Sequence, residues 1–196
     1  MPHTDRAPRR DASEAREAVL DCAAGIVDRV GHQGLTIRAV AAESGLTAPA
    51  LYELFGDKAG LMNALVHRVS TSLVERVRAL ENPGDPLDYV RLVLRELVRF
   101  GRETPNRYQL VEALFSFEGE HGLRRPLLEL FDDGRIADHE IETIRQSLWT
   151  LLHGLISMPA MRPDVAWRED LAERAFEAML NGLLPGRVGG EAPKED

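Results

Sequence analysis

Cysteine is almost missing from this chain: there is one, Cys22, in 196 residues. A single thiol excludes an internal disulfide and a cysteine-rich metal site. Its small, apolar neighbours mark it as a core residue. Lysine is nearly as scarce, two residues against 22 arginines. Long apolar runs are missing too. The most apolar stretch, residues 148–161, is interrupted by His153, Gly154, Ser157 and Pro159 and is too short to span a bilayer. The first twelve residues are polar, unlike the start of a signal peptide. These absences predict a cytoplasmic protein with no membrane partner.

Runs of β-branched residues are few, whereas Leu, Ala, Arg and Glu abound, which predicts helices. Apolar residues make up 44% and charged residues 29%, the balance of a soluble globular protein with a real core. The net charge of −8 is unevenly placed. Residues 1–80 carry ten basic and ten acidic side chains, and the rest of the chain carries the whole excess of acid. A neutral head on an acidic body permits an anionic partner without requiring one.

Punctuation along the chain sets the expected architecture. Residues 1–11, with Arg6, Arg9 and Arg10 against Asp5 alone, read as a mobile basic arm. Asp11 and Glu14 have capping-pair spacing and open a helix to about Val30, with Val19, Ala23, Ile26 and Val30 as its apolar stripe. Leu61, Leu65, Val69, Leu73 and Val77 recur every four residues in a connecting helix, 58–81, capped by Asp57. Asn82-Pro-Gly-Asp-Pro86 is the clearest turn and divides head from body. Pro86 and Pro105 stand at first helical positions, a shorter helix follows over 123–130, and two long helices cover 137–158 and about 164–184. The tail, 185–196, is expected to be disordered. The prediction is all-α, about nine helices, with a helix-turn-helix head over 12–57 and a helical-bundle body over 82–184 for ligand binding and dimerisation.

Residues 36–58, TIRAVAAESGLTAPALYELFGDK, hold two short helices interrupted at Gly45 and Gly56. Two helices crossing at a steep angle need a small residue at the contact and a residue free to take positive φ in the turn. Ala41 and Gly45 supply them four residues apart. Thr47 caps the second helix and Pro49 falls in its first turn, where the missing N–H costs nothing. This is helix-turn-helix spacing, in which the second helix enters the DNA major groove by its N-terminal end. Tyr52 and Lys58 stand where they can donate to phosphate oxygens. The plainer reading of the same residues is an αα corner in a helical protein.

The stretch from Ala18 to Leu65 resembles the N-terminal domain of TetR-family transcriptional regulators. The resemblance rests on Thr36-Ile-Arg-Ala-Val-Ala, Ser-Gly-Leu-Thr47, Leu51-Tyr52 with Phe55, and Asp57-Lys58 with Leu61. It implies a homodimer bound to a near-palindromic double-stranded DNA operator, a repressor released by a small, largely apolar effector, with no cofactor. Carried over by position, Thr36, Arg38, Thr47, Tyr52 and Lys58 touch DNA, chiefly its backbone, and Ala48, Pro49 and Ala50 face base edges. The chain departs from the pattern where Pro49 replaces the usual glycine, Ala50 a serine or threonine, and Glu53-Leu54 a polar or aromatic pair. Ala-Pro-Ala offers no bidentate hydrogen bond, and Glu53 near phosphates costs affinity unless it points away. The alternative is an all-α binding or scaffolding protein of the same fold that no longer reads a specific operator.

In the body, Trp149-x-x-x-His153-Gly154 is similar to the signature of one C-terminal subfamily of these regulators. Trp149 and His153 share a helix face and form either core or a ligand-pocket wall with Tyr108, Phe115 and Phe117. Leu148, Leu152 and Leu155, with Leu171, Ala175, Ala178 and Leu183, offer seams for dimerisation through the last two long helices. Glu118-x-x-His121 lacks the second copy and further carboxylates of a di-iron bundle, and His139-Glu140 lacks the second histidine of a zinc-protease helix. No metal site, no catalytic residues and no enzyme are expected.

Overall fold

A computed structural model describes residues 7–114 and 123–183, and these are helical with no strand among the described residues. The helices are α1 (Ala7–Val30), α2 (Ile37–Ser44), α3 (Ala48–Phe55), α4 (Lys58–Arg78), α5 (Pro86–Glu103), α6 (Pro105–Leu114), α7 (Arg124–Asp132), α8 (Asp138–Met161) and α9 (Leu171–Leu183), with a short 3-10 turn at His32–Gly34. The expected all-α architecture is observed. Two compact units compose it: Met1–Glu75 with Phe100–Gly119, and Arg76–Arg99 with Glu120–Asp196.

In the first unit Val19, Ala23 and Ile26 are buried as their spacing predicts. Val30 is not; it is 60% exposed, and Val27 at 0% takes its place. Val30 shares the face of Ile26 but stands at the last position of α1, where little of the unit lies beyond it. α1 begins at Ala7 rather than at Asp11, so Asp11 lies within the helix. Leu61, Leu65 and Val69 of α4 are buried in the same unit, each worth about 1.5–3 kcal/mol of transfer free energy. Arg68 ties α4 to α1 by pairing with Asp21 and donating to the Glu17 carbonyl at 3.2 Å. α6 also packs on α1: Arg107 holds the Asp28 carboxylate with two hydrogen bonds, 2.8 and 2.6 Å, and the Asn106 amide donates to the Asp28 carbonyl at 2.9 Å.

In the second unit the turn at Asn82–Pro86 is built as its composition predicts. Gly84 takes φ 93°, its N–H donates to the Asn82 side chain, and the Asp85 carboxylate accepts from the amides of Leu87 and Asp88 to cap α5. Glu96 is 4% exposed, and it survives burial because Arg76 and Arg99 both donate to it, at 2.5 and 2.8 Å. α8 continues through Pro159 to Met161, beyond the expected end at residue 158. α9 starts at Leu171, not near 164. The reason is visible: the Asp164 carboxylate is taken by Arg162 through two hydrogen bonds, 2.8 and 2.6 Å, so it caps nothing. Arg168 and Asp170 repeat the arrangement before the helix begins. No helix among the described residues is long and apolar enough to cross a membrane.

Candidate nucleic-acid interface

The interrupted stretch folds as its residue types require. The Thr36 hydroxyl accepts from the Ala39 amide at 3.1 Å and starts α2. Gly45 ends α2 in the left-handed region, φ 72°, and its N–H returns to the Ala41 carbonyl. The Thr47 hydroxyl accepts from the Ala50 amide at 3.4 Å and starts α3, with Pro49 in its first turn. Leu51 is fully buried and anchors α3. Gly56, φ 82°, ends it. The Asp57 carboxylate then accepts from the Gly60 amide at 2.7 Å, which opens α4 at Lys58. Every cap expected from the sequence in this stretch is made.

Placement of the predicted DNA-contacting residues follows. Thr36 and Arg38 are exposed at the first turn of α2, and Lys58 is exposed at the first position of α4. On α3, Pro49 is exposed, Tyr52 is half exposed at 50%, and Ala48 and Ala50 are half-buried. Electrostatics narrows the list of available cations. Arg29 is engaged by Glu43, Arg68 by Asp21, and Arg107 by Asp28. Arg38 and Lys58 carry no ion pair among the described residues, so their charge is open to an anion. The basic arm's Arg6 lies outside the described residues, as does the side-chain placement of Arg9 and Arg10.

Two contributors escaped the sequence. The Arg16 guanidinium lies 5.0 Å over the Phe55 ring, a cation–π contact that joins α1 to the last turn of α3. Nothing in the spacing pairs residues 39 apart. Gly60 is the second: a side-chain carbon there would lie 1.9 Å from the Phe55 carbonyl oxygen. A glycine inside an otherwise helical pattern was the available signal.

The residues predicted to line a ligand pocket are divided. Tyr108, on α6, is buried in the first unit, and burial pushes its hydroxyl up to about 12. Trp149 and His153 are half-buried on α8 in the second unit, where His153 Nδ1 lies 3.3 Å from the Ser157 hydroxyl. Phe115 and Phe117 lie outside the described residues, as do Glu118, His121 and the 185–196 tail. The second unit has an open groove of about 790 Å³ along α8 and α9, lined by Ser147, Leu151, Met158, Trp167, Leu171 and Met179 among others. Neither Trp149 nor His153 lines it. The expected dimer seam is also revised. Leu148 and Leu152 are fully buried and Leu155 is 6% exposed, so these leucines pack the unit's own core. Leu155, Leu171 and Ala175 do border the groove, whereas the Leu183 side chain lies outside the described residues.

Comparison with known proteins bears on both units. Residues 19–65 match the family described as "Bacterial regulatory proteins, tetR family", so the chain carries a TetR-family N-terminal domain. The chain is 29% identical over 123 residues to the nucleoid occlusion factor SlmA of Vibrio vulnificus strain YJ016, covering 61% of this chain and 62% of that one, under two thirds of its length. The SlmA of Vibrio atlanticus is 28% identical over 178 residues, 90% of this chain and 83% of the relative. Among solved structures, a TetR-family transcriptional regulator from Pectobacterium atrosepticum shares the fold with TM-score 0.67 and 21% identity, covering 91% and 98% of the two chains. Another, from Marinobacter aquaeolei VT8, gives 0.69 at 18% identity, covering 88% and 97%. The fold is TetR-like along most of the chain.

Proposed function

We propose that this chain is a DNA-binding transcriptional regulator, a homodimeric repressor released from its operator by a small, largely apolar molecule. One observation carries the reading: α3 is capped by Thr47, anchored by Leu51, and presents Pro49 and Tyr52 outward, with the unpaired Lys58 three residues beyond its end. In this reading Thr36, Arg38, Thr47, Tyr52 and Lys58 meet phosphates, and Ala48, Pro49 and Ala50 meet base edges. Two copies of α3 must then lie about 34–36 Å apart to enter successive major grooves of a near-palindromic site. A second copy packed on the α8–α9 groove supplies that pairing, and a stable interface of this sort buries roughly 2,000 Å² or more.

The effector is assigned to the face of α8 that carries Trp149 and His153, within the second unit. The resemblance of Trp149-x-x-x-His153-Gly154 to the signature of one C-terminal subfamily of these regulators supports this assignment. α4 is one continuous helix from Lys58 to Arg78, and it is the element through which binding in the body changes the spacing of the heads. Tenfold release from DNA needs about 1.4 kcal/mol of effector preference for the released state. That lies within the usual 1–3 kcal/mol of allosteric coupling, roughly.

Gel-shift of the full chain with DNA from beside its own gene tests the reading, and binding that an apolar small molecule relieves is the expected result. A second reading has its own support, the likeness to nucleoid occlusion factors over 90% of the chain. It makes the protein a DNA-bound occlusion factor with no effector. Binding at many chromosomal sites that no small molecule relieves favours that reading. No binding to any duplex leaves a helical scaffold.

A further inference from the structure

The side chains of α3 that the core does not claim lie on one arc. With 100° between residues, Tyr52, Pro49 and Glu53 fall on the side away from the buried Leu51, and all three are exposed. Glu53 is one turn beyond Pro49 on the same face. Pro49 brings no polar side-chain atom, so hydrogen bonding from this arc is left to the Tyr52 hydroxyl and the Glu53 carboxylate. The carboxylate is uncommitted. Elsewhere in the same unit Glu17, Asp21, Asp28 and Glu43 each face an arginine, and Asp57 caps α4. Glu53 has no hydrogen bond or ion pair among the described residues.

An ionised carboxylate only accepts hydrogen bonds and is repelled by phosphate. In the major groove guanine presents N7 and O6 acceptors and thymine an O4 acceptor; the cytosine N4 amino donor has an acceptor on one side only, the O6 of its paired guanine, whereas the adenine N6 donor lies between its own N7 and the thymine O4. On the premise that α3 enters that groove, we propose that Glu53 is the base-discriminating residue of this protein: its carboxylate accepts from the N4 amino group of one cytosine in each half-site. The acid that departs from the family pattern is thereby the source of sequence choice, in a helix whose other central residues are alanine and proline.

The test is enrichment of bound duplexes from a randomised library by the full-length protein, run in parallel for wild type, Glu53→Ala and Glu53→Gln. Because Glu53 is exposed and alanine is a strong helix former, the variants fold, and circular dichroism checks this. The expected wild-type consensus holds one invariant cytosine per half-site, and replacing it weakens binding about tenfold or more. In Glu53→Ala that position becomes degenerate, with less than about a twofold penalty, while the others keep their preference. Glu53→Gln, which also donates, shifts the preference toward adenine. An unchanged consensus in Glu53→Ala overturns the proposal, even if affinity for all DNA rises, because the acid then only repels the backbone. A wild-type protein that enriches no sequence overturns the DNA-reading function itself and this proposal with it; there the wild type is silent, whereas in the first case only the variant's consensus speaks.

Discussion

Replacing Gly60 with alanine should loosen the joint between α3 and α4. Alanine is the better helix former by about 1 kcal/mol, and Gly60 sits inside the first turn of α4, so propensity alone predicts stabilisation. Geometry predicts the reverse. The new carbon would stand 1.9 Å from the Phe55 carbonyl oxygen and 3.1 Å from its carbon, where real contacts do not fall below 3.0 Å. The obstacle is backbone, so more than an ångström must come from moving the end of α3 or the start of α4. Such overpacking costs about 1–3 kcal/mol. The Asp57–Gly60 cap, at 2.7 Å, is worth about 1 kcal/mol more if it is stretched beyond use. Net destabilisation of about 1–3 kcal/mol follows once the propensity gain is subtracted. Urea unfolding of Gly60→Ala measures it, beside Gly182→Ala in α9, where an added carbon meets nothing within 4 Å and a gain of up to about 1 kcal/mol is expected. A Gly60→Ala protein as stable as wild type would refute the steric argument.

Lys58→Ala should weaken binding to every DNA sequence alike and lower the salt slope by about 1 per head; unchanged affinity across a salt series would leave the lysine with no role beyond starting α4. Glu96→Ala leaves Arg76 and Arg99 without their shared carboxylate and should cost about 2–3 kcal/mol in a urea titration, whereas a loss under about 0.5 kcal/mol would mean the cluster is solvated. Tyr108 sets an alkaline limit. Its folded-state value, about 12 against an ordinary 10.0, means the unfolded chain releases the proton first, so stability should be flat below pH 10 and fall between 10 and about 12. Tyr108→Phe should flatten part of that fall in melting temperatures taken at pH 9 and 11. Light scattering at micromolar concentration should give a dimer, and Leu151→Glu, which puts a charge in the α8–α9 groove, should shift it toward monomer.

Local chemistry made much of this legible from residues alone. Thr36, Thr47, Asp57 and Asp85 each cap the helix they precede, because the bond each one makes spans two or three residues. The four-residue recurrence of α4 likewise needs no partner to be recognised. Legibility ended where the partner is distant. Asp164 has the look of a cap, yet Arg162 claims its carboxylate, and two competitors for one group cannot be ranked from spacing. The stripe of Leu148 and Leu152 reads as a subunit seam because periodicity finds an apolar face without saying what covers it; their own unit does. The exposed arc of α3, with Tyr52 and Glu53, is set by the burial of Leu51 against the rest of the unit, which spacing within an eight-residue helix does not fix.

The packing of α6 against α1 has a consequence for how the protein is made and cut. Asp28 obtains its partners, Asn106 and Arg107, only from chain that follows the whole of α5. The DNA-facing unit is therefore discontinuous in sequence. On the ribosome it stays incomplete until α6 has emerged, well after α3 has been synthesised. A truncation at the Asn82–Pro86 turn, the obvious place to excise a minimal binding head, strips α1 of that cover and leaves the exposed Asp28 carboxylate to water. A chimera that grafts this head onto a different body must carry Pro105–Leu114 along with it, a helix that a linear map of the gene would assign to the wrong half.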